Sequence, residues 1–197
     1  MSNSDTLYAR IAAVGLLVTA IIQVLVVTLH APGAEHANPS ALFKWRIEVV
    51  AYLAVMLFGT ALIRNHPLMG SGLAACGIFN VIQLGIGLGA FRPLLDGGEH
   101  LEPVFDALWR TAFFLYFAGK AGLGLAGIAY GAHLWRMRPG GWRIFGGAVA
   151  LSGAVGLAAG IAAMVTGPAL IFLAGATGVI AALLLAAALT FAPPRTG

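Results

Sequence analysis

The sequence predicts an all-α fold: a polytopic membrane bundle of six transmembrane helices, arranged as three helical hairpins. Three observations carry that prediction. The chain is 60% hydrophobic and only 9% charged, with a mean hydropathy of +0.93, whereas a soluble domain is about 45–50% apolar and about 25% charged. So few charges cannot cover a surface that faces water, and the solvent for most of the outside must be lipid. Six apolar runs approach or exceed the roughly 18 residues that mark a membrane-crossing helix. No run shows the short alternating segments of a β-barrel.

The runs define one transmembrane domain over residues 1–197. The first helix, 8–29, is interrupted only by Arg10 and Gln23. A single arginine precedes its apolar stretch, which is longer than the about 7–15 residues of a cleaved leader, so it reads as a retained helix. The second and third are expected over 45–64 and 68–91. The fourth, 107–135, is long enough to tilt or to extend beyond the bilayer. The fifth and sixth fall at 142–165 and 169–191, joined by Thr166-Gly-Pro168. Twenty-seven glycines and an alanine-rich texture suit helices whose backbones approach closely, the way helices pack when lipid supplies no hydrophobic drive.

The lone Cys76 forms neither an internal disulfide nor a C-x-x-C framework. The net charge of +4 is scattered around helix ends and makes no patch, which argues against a nucleic-acid partner. Orientation follows from the cationic loops. With the N-terminus inside, Arg10, Arg64, Arg136, Arg138, Arg143 and Arg195 lie on the cytoplasmic side, against Lys44, Arg46, Arg92 and Arg110 opposite. The loop from Arg136 to Arg143 holds three arginines and no acid, while that from Arg92 to Glu102 holds Asp96, Glu99 and Glu102. Both termini are therefore expected in the cytoplasm, with the bundle in a bacterial inner membrane.

Offsetting the chain by 64 residues aligns its two outer loops without gaps. The first reads Gly33-Ala-Glu35-His36-Ala-Asn-Pro39, then Trp45-Arg46. The second reads Gly97-Gly-Glu99-His100-Leu-Glu-Pro103, then Trp109-Arg110. If the loops are neighbours, Glu35, His36, Glu99 and His100 meet on the outer face with His30 nearby. Imidazole and carboxylate together suit a divalent metal such as Zn, Cu, Fe or Mn. The competing reading is plainer: solvated loop residues beside prolines, each followed by an interfacial Trp-Arg anchor.

Lys120 stands out inside the fourth helix, because an ionisable group in a membrane span is costly and functional by default. Counting from Trp109, it lies about 15 Å deep at about 1.5 Å per residue. By the same count Gln83 and Asn80 of the third helix reach similar depth, and Gln23 of the first is shallower. Gln83 and Asn80 are therefore the expected partners, and Glu48 fits Lys44 at i,i+4 better than it fits Lys120. Gln23, Asn80, Gln83 and Lys120 would then line a polar cavity for an anionic or hydrogen-bonding ligand. Otherwise they are interhelical hydrogen bonds that hold the bundle. Gly85-x-x-x-Gly89, Gly127-x-x-x-Gly131 and Gly156-x-x-x-Gly160 read as packing signals that also suit oligomerisation or a membrane-protein partner.

G-x-S-x-G, H-E-x-x-H and P-loop motifs are absent, which favours a non-enzymatic protein. The segments Ser40-Ala-Leu-Phe-Lys44, Ile78-Phe-Asn-Val-Ile-Gln83, Trp135 to Arg143 and Leu151-Ser-Gly-Ala-Val-Gly156 resemble those of a large bacterial family of uncharacterised six- to seven-helix membrane proteins, a domain of unknown function. Asn80 stands where that resemblance leads one to expect arginine. The resemblance implies the fold and assigns no activity. In size the chain also looks like the substrate-binding subunit of a vitamin transporter. Three functions follow as expectations: a transporter or ligand-binding subunit working at Lys120, a membrane enzyme or metal protein working at the Glu-His loops, or an assembly subunit of a membrane complex.

Overall fold

The computed structural model describes residues 2–29 and 39–191, with the side chains of 26–29 and 39–41 aside. Those residues form an all-α bundle: α1 (Asn3–Leu29), α2 (Pro39–Leu62), α3 (Pro67–Ile86), a short α4 (Arg92–Asp96), α5 (Glu102–Met137), α6 (Gly141–Thr166) and α7 (Ile171–Phe191). Six of the helical segments are long and apolar enough to cross a membrane. Chain neighbours pack in order, and α1 closes on α7, so that α1, α2, α3, α5, α6 and α7 make a ring. α5 also touches α7 across the ring.

The physics of lipid as solvent is visible in what faces out. Val50, Leu151, Val165 and Phe172 are among many large apolar side chains left exposed, while the interior packs small residues with Leu16, Tyr52, Leu73, Leu123 and Leu185. Backbones come close where glycine permits. A Cβ on Gly124 of α5 would lie 2.5 Å from the Gly153 carbonyl oxygen, and one on Gly153 of α6 would lie 2.6 Å from that of Gly124. Gly127, Gly131 and Gly160 are likewise spent on contacts within the chain. Gly85 and Gly89 have nothing within 4 Å of an added Cβ.

Helix ends differ from the sequence expectation for identifiable reasons. α1 starts at Asn3 because Ser2 and Asp5 form a reciprocal cap: the Asp5 amide donates to Ser2 Oγ and the Ser2 amide donates to Asp5 Oδ2, both at 3.1 Å. Asp5 also accepts from Asn65 Nδ2 at 3.1 Å, which ties the start of α1 to the α2–α3 turn. The third span was expected to stop at Phe91, before Arg92-Pro93, but it continues to Asp96. A π-helical turn over Gly87–Phe91 precedes Pro93, which sits in the first turn of α4. Such turns reset the backbone ladder, and a first-turn proline lacks only an N–H that has no helical partner. α5 is the longest helix at 36 residues, and its first turns pack on the extended third span, where Phe105 meets Phe91 with centroids 5.3 Å apart.

At the opposite end of α5, the guanidinium of Arg143 lies 5.1 Å from the Trp135 ring centroid. This cation–π contact clamps the α5–α6 turn, and the Trp135 ring covers Gly147.

Candidate functional site

Lys120 is 2% exposed at the middle of α5. Helical side chains lean toward the N-terminus of their helix. In this alternating ring the α5 N-terminus shares an end with the C-terminus of α1, so the Lys120 stem leans toward that end. Its Nζ donates to Oε1 of Gln23 on α1 at 2.6 Å. Gln23 Nε2 in turn donates to Glu48 Oε1 and to the Tyr52 hydroxyl of α2, both at 2.9 Å. An ammonium can only donate and a carboxylate only accept, so the amide has one orientation that serves both. Glu48 is buried, and the Tyr52 hydroxyl is also bonded to the Thr19 side chain.

Two further groups shape the lysine. The Tyr116 ring, one turn earlier on α5, lies with its centroid 4.9 Å from Nζ, a cation–π distance. On the other side, α7 presents Gly178, where a Cβ would collide with Cδ of the Lys120 stem. The ammonium is therefore held among α1, α2, α5 and α7, with a neutral amide as its direct acceptor and a carboxylate one residue further on. Gln23 is only half-buried, so the cluster lies near the surface of the bundle at this residue.

The residues expected around Lys120 divide. Gln23, expected at the cavity but at shallower depth, meets Lys120 directly. Asn80 is fully buried on the α3–α5 interface, in space left by Gly119, and its Nδ2 donates to the Cys76 carbonyl at 2.8 Å. Its Oδ1 is buried with no hydrogen bond among the described residues. Gln83 is half-buried and makes no side-chain hydrogen bond among them. Glu48 departs from the expectation that paired it with Lys44, since its carboxylate takes Gln23 from another helix. Tyr52, Tyr116 and Gly178 were not anticipated. Of these only Tyr116 carried a signal, its i−4 spacing from Lys120.

Of the two Glu-His loops, the described part is the second copy. Gly98 turns the chain with φ +90°, Glu99–Leu101 form a 3-10 turn, and Glu99 and His100 are both exposed. Glu35, His36 and His30 lie outside the described residues. Among those described, no group of three His, Cys, Asp or Glu is placed to hold a metal ion. The repeated Trp-Arg pairs share exposed arginines, but Trp45 packs on Gly87 whereas Trp109 packs on Phe113 with centroids 4.5 Å apart.

At the α2–α3 turn, His66 lies 3.8 Å from Asp5 Oδ2, and burial pushes its imidazole below the usual value of 6.5 despite that carboxylate. The corner ties α1 to the α2–α3 turn and lies away from Lys120. No protein-family model, no curated protein and no solved structure matches the chain.

Proposed function

We propose that the chain is a multi-pass transporter or ligand-binding membrane subunit, and that it takes up a small organic anion at Lys120 together with a proton. The single observation behind this reading is the nature of the lysine's acceptor. A structural ammonium buried in a bundle is best held by a carboxylate directly; here a neutral amide stands between Lys120 and Glu48. A ligand carboxylate forms a stronger, charge-assisted bond than an amide oxygen does, so it can take Gln23's place. The aromatic face of Tyr116 would pack against an apolar part of the same ligand.

Charge balance supplies the second half. The cluster holds one basic and one acidic side chain, and an incoming anion would leave one buried negative charge without a counterpart. Such a charge is costly enough that a proton accompanies it. Glu48, beyond the displaced amide, is the group to receive that proton. Location in a bacterial inner membrane with both termini cytoplasmic, and kinship with the uncharacterised bacterial membrane family, belong to the same proposal; the supporting features are the arginine-rich α5–α6 turn and the segments that resemble the family.

Thermal unfolding of detergent-purified protein tests it. Acetate, butyrate and benzoate are titrated against the wild type, Lys120→Met and Glu48→Gln. At least one carboxylate stabilises the wild type and not Lys120→Met. Binding takes up about one proton per ligand, and Glu48→Gln binds without that uptake. A carboxylate response that persists unchanged in Lys120→Met rejects the reading.

A further inference from the structure

A second site lies away from Lys120, where α5 runs past the turn between α6 and α7. A groove of about 510 Å³ opens there, with Arg110 at its rim and Phe113, Phe114, Phe117 and Met164 along its walls. Arg110 stands level with Gly167-Pro168, the turn at which the chain reverses from one apolar span to the next. That turn marks the edge of the apolar layer, so the guanidinium sits at the height of lipid headgroups. The three phenylalanines follow about 5–10 Å deeper along α5, at the depth of acyl chains.

The rim chemistry is specific. Arg110 is exposed and has no ion-pair partner among the described residues, Asp106 one turn above included. The neighbouring hydroxyls are already committed, since Thr111 donates to the Ala107 carbonyl at 2.8 Å and Thr166 to that of Ala162 at 2.9 Å. The side-chain donor left at the rim is therefore a guanidinium, whose planar fork matches a phosphate. The groove lining itself offers one cation and no carboxylate, so the charge built into its wall favours an anionic headgroup.

From this arrangement we infer that the groove is a binding site for an anionic phospholipid: the phosphodiester on Arg110, one acyl chain along the phenylalanines. The charge pattern selects a lipid with net negative charge over a zwitterionic one. Occupancy would also seal the side of the α5–α6 contact toward which Phe114 is exposed.

Native mass spectrometry of the detergent-purified full chain decides the matter, with phosphatidylglycerol and phosphatidylethanolamine of identical chains as probes. The wild type binds phosphatidylglycerol about fivefold more tightly than phosphatidylethanolamine, the effect of about one basic group at a lipid headgroup. R110Q abolishes that preference. R92Q, which removes an exposed arginine paired with Asp96 at 3.6 Å, leaves it intact. M164W fills the groove and weakens both lipids. Arg110 is exposed, so R110Q unfolds at the wild-type temperature and a binding change cannot be ascribed to misfolding. Equal affinity for the two lipids, a preference that survives R110Q, an equal loss in R92Q, or unchanged binding by M164W would each overturn the inference.

Discussion

Gly178 of α7 lies against the alkyl stem of Lys120 of α5, and a single methyl group at that position would collide with it. The glycine sets how closely α7 approaches the lysine, and so where the ammonium sits relative to Gln23. Replacing Gly178 with alanine is expected to destabilise the protein by about 1–3 kcal/mol, the usual cost of overpacking. Gly156→Ala is the control, because its Cβ would make only an ordinary contact with the Ala181 Cβ at 3.7 Å. Thermal unfolding in detergent should separate the two variants. Equal stability of both would show that the Lys120 stem has room to move.

The charges of Lys120 and Glu48 act through the amide that joins them. Lys120→Met leaves Glu48 buried without a cation, and Glu48→Gln leaves Lys120 without a nearby anion. Each single change should cost about 1–3 kcal/mol. The double variant removes both charges, so its cost should fall short of the sum by about 0.5–3 kcal/mol. Strict additivity in the unfolding cycle would mean that the two charges are independent.

Removing the Gln23 side chain tests the same connection from its middle. Gln23→Ala deprives Lys120, Glu48 and Tyr52 of a shared partner and is expected to cost about 1–3 kcal/mol. Gln83→Ala, at a position with no such bonds among the described residues, should be close to neutral.

Acid should loosen the corner where α1 meets the α2–α3 turn. Burial holds the folded His66 below the ordinary 6.5 while Asp5 opposes it more weakly. The unfolded chain therefore takes up this proton first as pH falls, and stability declines below about 6.5 until the folded imidazole also protonates. His66→Gln should flatten that part of the stability–pH curve. A wild-type curve identical to that of His66→Gln would remove His66 from the account.

How much of this was legible in the sequence depends on the direction along which it is read. Height along a helix follows from counting residues, which is why Lys120, Gln23 and the six spans were accessible. Azimuth does not. Gln83 and Asn80 have the depth to meet Lys120, but Asn80 turns to the Cys76 carbonyl and Gln83 lies at the margin. Glu48 was assigned to Lys44 by a local spacing rule, whereas the decisive contact spans two helices and needs the closure of the ring. Gly178, which sets how closely α7 approaches the Lys120 stem, was hidden among many glycines of similar context. The start of α1 was, in contrast, written in Ser2 and Asp5 as a capping pattern that the apolar run obscured.

The most direct measurement of the central claim uses the fact that the chain contains only two lysines, Lys44 and Lys120. In protein labelled with 15N at lysine, the two Nζ signals are assigned with Lys44→Gln and followed as benzoate is added. The account predicts a Lys120 signal distinct from that of Lys44, shifting saturably with benzoate as the carboxylate replaces Gln23, while the Lys44 signal stays fixed; in Lys120→Met the Lys120 signal is absent and Lys44 still does not shift. A Lys120 signal that stays fixed through saturation of carboxylate binding elsewhere on the protein would contradict it.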